Sequence, residues 1–134
     1  GGIAVEEIKV GYFIRTNKGI IGKLKRIELD EIDKNLKWYV FDKKRPDMNI
    51  IDEIYINKPY ITKYSKNIID LIEIGDYVNG REVKHIAMFE GFPDYPKLIF
   101  VDEKHLIPDD TCENDEIRTI LTHEQFEQKC YKLD

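Results

Sequence analysis

Two cysteines, three histidines and one tryptophan are all that 134 residues supply of these chemically versatile side chains. His85, His105 and His123 lie far apart and share no ligand spacing. Cys112 and Cys130 have none of the close Cys/His partners of a structural zinc site. No glycine-rich phosphate loop occurs, and the carboxylate runs lack the spacing and the obligatory glycine of a calcium loop. No apolar run approaches the ~18 residues of a membrane span, and no signal peptide precedes the first strand pattern. The reading is therefore a non-enzymatic protein without cofactor or metal, its cysteines reduced in a cytoplasm. Gly1 and Gly2 stand without an initiator methionine, read as a remnant foreign to the natural chain, and are left out of it.

What the chain does hold is charge and β-forming residues. Charged residues are 35% and hydrophobic residues 42%, with 8 Tyr and 6 Phe, which argues for a folded domain rather than disorder. At this length roughly two-thirds of the unfolded chain's surface can be buried. The net charge of −5 weighs against non-specific binding to nucleic acid, where affinity rests on neutralising phosphates.

Ile8, Val10, Tyr12 and Ile14 alternate strictly, which predicts a half-buried strand over Glu6 to Arg15. A turn at Asn17-Lys18-Gly19 leads to β character over Ile20 to Ile27, where Gly22 predicts a bulge or bend. Further strands are predicted over Leu36 to Asp42, Ile50 to Ile56, Val83 to Phe89, Lys97 to Asp102 and Ile117 to Leu121. Ile74 to Gly80 reads as a short strand ending in an Asn-Gly turn, and Pro108 to Asn114 as a polar loop. Thr122 to Cys130 reads as a short helix with Thr122 as N-cap and Gln125 three residues on.

The halves match piecewise, which predicts a weak internal repeat of about sixty residues, the alternative being two unrelated β meanders with similar turn chemistry. Val10 to Ile14 parallels Ile74 to Val78, and Trp38 to Asp42 parallels Leu98 to Asp102. Asp52 to Ile56 is set against Asp115 to Thr119, and Ile61 to Ser65 against Leu121 to Gln125. The expected fold is mostly β: two tandem SH3-like small barrels, 3–72 and 73–134, with a short C-terminal helix. Val10, Ile14, Trp38, Val40 and Ile54 would line the first core. Ile74, Val78, Ile99, Val101 and Ile117 would line the second, with Ile68, Ile69, Leu71 and Ile72 packed between the modules.

Asn67-Ile-Ile-Asp-Leu-Ile-Glu-Ile-Gly-Asp-Tyr-Val-Asn-Gly80, with Ile120-Leu-Thr-His-Glu-Gln-Phe-Glu127, resembles a family of small uncharacterised proteins. These are carried by phages and prophages of Gram-positive bacteria. The resemblance implies no activity and carries over no functional residue. The least similar stretch is Glu90 to Pro96.

Together with small size and acidity, the resemblance implies a protein that binds and inhibits a host protein. The expected target is a nucleic-acid-processing enzyme of antiviral defence, bound in the manner of an anti-CRISPR. Two surfaces compete for that contact. The acidic face would comprise Glu28, Asp30, Glu31, Asp33, Asp109, Asp110 and Glu113, resembling a phosphate backbone if the two loops converge. The alternative is a nucleic-acid or nucleotide contact through Lys18, Lys23, Lys25 and Arg26, interleaved with Tyr12 and Phe13.

Overall fold

The computed structural model describes residues 7–45, 49–88, 97–101 and 111–129. The chain is mostly β and forms two compact units. One comprises residues 1–17 and 21–66, the other 18–20 and 67–134. Among the described residues, each unit holds one five-stranded antiparallel sheet. Among the described residues no hydrogen-bonded pairing closes either sheet on itself.

The first sheet contains β1 (Phe13–Thr16), β2 (Ile21–Leu29), β3 (Lys37–Arg45), β4 (Ile50–Ile56) and β5 (Ile61–Ser65). Its spatial order is β4-β3-β2-β1-β5, so the meander of four strands is completed by β5 returning to β1. A 3-10 helix, Lys58–Tyr60, joins β4 to β5. Ile8, Tyr12, Ile14, Leu24, Tyr39, Val40 and Phe41 are buried. The long strand β2 serves both β1 and β3, and it bends to do so. Gly22 pairs with Ile14, while a register shift between Leu24 and Arg26 marks the β-bulge in its pairing with β3.

The second sheet contains β6 (Tyr77–Val78), β7 (Arg81–Met88), β8 (Lys97–Val101), β9 (Thr111–Glu113) and β10 (Ile120–Leu121), in the order β10-β6-β7-β8-β9. Asn79 and Gly80 both have positive φ, which makes the two-residue hairpin turn between β6 and β7 that an Asn-Gly pair favours. The core holds Ile69, Ile72, Val78, Val83, Ile99, Val101 and Cys112, with Ile86, Ile117 and Ile120 against it. Helix α1 (His123–Lys129) closes the described chain. Thr122 Oγ1 accepts from the Gln125 N–H, and the Thr122 N–H donates to Gln125 Oε1, the reciprocal cap read from the sequence.

Both sheets thus share one strand order, with a 3-10 helix before the fifth strand in each case (Asn114–Glu116 in the second). The repeat extends to single hydrogen bonds. Gly11 and Gly75 both have φ +95°. Their N–H groups donate to Leu24 and Val83 carbonyls at 2.8 and 2.9 Å, and the Leu24 and Val83 N–H groups return to Tyr12 and Asp76 carbonyls. Phe41 pairs with Leu24 as Val101 pairs with Val83, which confirms the register read for the third strands.

Several expectations are corrected. Val10 (58% exposed) and Ile74 (62%) are not core residues. Each precedes a glycine in a tight turn, where the alternation of a strand has not begun, so β1 starts only at Phe13. Trp38 and Ile54 are only half-buried. The polar segment at 111–113 is a strand, held by pairing with β8 that its composition does not announce. Residues 117–119 are not strand, because Ile117 caps a 3-10 helix. The parallel of Asp52 with Asp115 is out of register: Ile56 and Cys112 correspond, each opposite the matching residue of the third strand, Tyr39 and Ile99. Likewise Tyr64 corresponds to Ile120, since they pair with Ile14 and Val78. The segment Asn67–Ile72 falls in the second unit, where Ile69 and Ile72 join the core cluster.

Candidate functional site

The connection between β2 and β3 is built around one carboxylate. Asp30 Oδ2 accepts from the backbone N–H groups of Ile32 (3.0 Å) and Asp33 (2.9 Å), and its Oδ1 accepts from the Trp38 indole at 3.0 Å. These bonds, led by that from Asp33, hold the Asp30 carboxyl below its usual range. The loop is closed further by Asp30 N–H to Leu36 O, Leu36 N–H to Asp33 O, and Asn35 N–H to Asp33 Oδ1. Short Asx side chains turn the backbone here in place of a ladder. The result is a fixed tip on which Ile32 is 95% exposed, between exposed Glu31 and Asp33.

The other acidic positions have mixed placements. Glu28, at the end of β2, pairs with Arg26. Glu113 belongs to a local capping box, its N–H donating to Glu116 Oε1 at 2.9 Å. Asp109 and Asp110 lie outside the described residues, as do Glu90 to Pro96, His105 and Cys130.

Two of the four basic candidates are matched by carboxylates on the same sheet. Lys25 Nζ lies 3.0 Å from Asp42 and 2.6 Å from Glu53. Arg26 donates to both oxygens of Glu53, to Tyr55 Oη and to Glu28. The bulge between Leu24 and Arg26 is what lets two consecutive side chains reach the same Glu53. Arg26, and after it Lys25, holds the Glu53 carboxyl down at about 2, and the Lys25 ammonium is raised in return. Lys23 sits 5.8 Å from the Phe13 ring centroid, a cation–π contact, so that ring is occupied by its own neighbour. Lys18 is exposed in the turn after β1 and belongs to the second unit. Lys25 and Arg26 are thus neutralised within their own sheet, and Lys23 is held against Phe13.

A cleft of about 280 Å³ in the first unit is lined by Ile8, Leu36, Tyr39, Asn57 and Pro59 among others. Cys112 is a buried free thiol, pushed up to about 11 by burial and by Glu116, which is the opposite of an activated nucleophile. Among the described residues, one grouping has donors able to hold a metal ion: Glu73, His123 and Glu124. No local pattern announces it, since Glu73 and His123 are fifty positions apart and only the fold of the second unit joins them.

No family model matches the chain, and no match was found among curated proteins or solved structures.

Proposed function

We propose that the protein is a non-enzymatic binding module of a phage or mobile element that inhibits a host protein in the cytoplasm, and that each unit is an SH3-like barrel. The shared strand order, with a 3-10 helix before the fifth strand, supports the second statement. The first is carried by the Asp30 turn. It presents an almost fully exposed Ile32 between acidic side chains on a backbone already fixed by hydrogen bonds. An apolar tip gains by entering an apolar pocket, and fixing it beforehand reduces the ordering cost of binding. The flanking Glu31 and Asp33 repel phosphate and favour a basic rim, as on a nucleic-acid-processing enzyme. Internal pairing of Lys25 and Arg26 weighs in the same direction, because paired cations release fewer counterions on meeting nucleic acid.

Affinity capture from host lysate, with and without nuclease, tests this reading. A nuclease-resistant protein should bind the wild type and be lost with Ile32→Ser. Its association should slow with Glu31→Gln and with added salt. Capture that survives Ile32→Ser would overturn the assignment to this turn. Capture that disappears on nuclease treatment would favour nucleic acid, and replacement of Lys18, Lys23, Lys25 and Arg26 would then abolish it.

A further inference from the structure

In the second unit, His123 Nε2 lies 2.8 Å from Glu73 Oε1 and 2.8 Å from Glu124 Oε1. An imidazole nitrogen carries at most one proton, so one N–H cannot point at both oxygens. The three donor atoms lie within 4.8 Å of one another. Neighbouring ligands of a first-row dication are spaced about 3 Å apart when each is roughly 2.1 Å from the ion. We propose that Glu73, His123 and Glu124 form a metal site for a Zn²⁺-class dication. One imidazole with two carboxylates suits that class, whereas Mg²⁺ and Ca²⁺ favour oxygen alone.

The backbone under these side chains is held by a carboxylate that points inward. Asp76 is fully buried. Its Oδ2 accepts from the Glu73 N–H at 2.7 Å, and its Oδ1 accepts from the His123 N–H at 2.9 Å. One residue thus fixes the start of α1 against the turn before β6, while the three donor side chains remain 22–37% exposed, within reach of an ion from solvent. The first unit shows that the turn itself does not call for these acids. There the position of Glu73 is taken by Lys9, whose carbonyl accepts from Tyr12 as that of Glu73 accepts from Asp76. The same turn hydrogen bond therefore occurs once on a lysine and once on a glutamate, and the buried carboxylate of Asp76 has Tyr12 in its place in the first unit.

The test is calorimetric titration of the metal-stripped full chain with Zn²⁺, using Co²⁺ as a visible-absorption probe and Mg²⁺ and Ca²⁺ as controls. One Zn²⁺ per chain should bind, Co²⁺ should develop an absorption band displaced by Zn²⁺, and Mg²⁺ and Ca²⁺ should bind at least tenfold more weakly. Glu73→Gln and His123→Gln, checked as folded by circular dichroism, should each weaken Zn²⁺ at least tenfold. They should also abolish the Zn²⁺-dependent rise in Tm, whereas His85→Gln should change neither. Substoichiometric uptake by the wild type, or equal uptake by both site variants, would overturn the site. Loss of Zn²⁺ binding in His85→Gln alone would also overturn it, by placing the ion elsewhere.

Discussion

Gly22 lies against the ring of Phe41: a Cβ built on it would collide with Phe41 Cδ2. Phe41 is wholly buried, so its ring has little room to move aside. The strand β2 needs this glycine because its neighbour's ring occupies the place where a side chain would stand. Gly22→Ala should therefore destabilise the protein by about 1–3 kcal/mol, the usual cost of overpacking a filled core. In the background Phe41→Leu, the same substitution should cost less. Urea denaturation of the four chains of that cycle measures the coupling.

Thr122 is buried and caps α1, and its hydroxyl donates to the Gly19 carbonyl at 2.8 Å. Thr122→Ala removes the cap and leaves that carbonyl without its donor. A loss of about 1–2 kcal/mol is expected. Thr122→Ser retains the oxygen and should recover most of it. Helix amide exchange would show whether the loss is local to residues 123–129.

Glu53 supplies a pH signature. Its carboxyl is lowered from 4.5 to about 2, first by Arg26 and then by Lys25. A carboxyl depressed in the folded state adds stability above its unfolded value and loses it as pH falls through the folded value. The stability difference between wild type and Glu53→Gln should thus be constant above about pH 4.5 and shrink toward zero near pH 2. Because the cluster is exposed, added salt should reduce the difference at neutral pH.

Leu71 is fully buried at the end of the 3-10 helix Ile68–Leu71. Leu71→Ala should cost on the order of 2–5 kcal/mol. Native-state proteolysis should spare residues 66–74 in the wild type and begin there in the variant.

The sequence by itself determined the parts governed by local chemistry. The isoleucine- and tyrosine-rich run Ile50–Ile56 reads as a strand with its observed ends, Asn79-Gly80 set a turn through its backbone preferences, and Thr122 with Gln125 announced the start of a helix. The repeat was legible where both halves carry a glycine turn or a buried strand triplet. Tertiary structure decided what depends on distant partners. Val10 and Ile8 are both apolar and two apart, yet only Ile8 is buried, because the turn at Gly11 redirects the chain. Thr111–Glu113 is a strand only because β8 offers it an edge. Asp30 is one acid among several in its run, and nothing local marks it as the one that takes the Trp38 indole. Glu73, His123 and Glu124 meet through the register of β6 with β10 and the buried carboxylate of Asp76, contacts separated by some forty to fifty residues that no local pattern encodes.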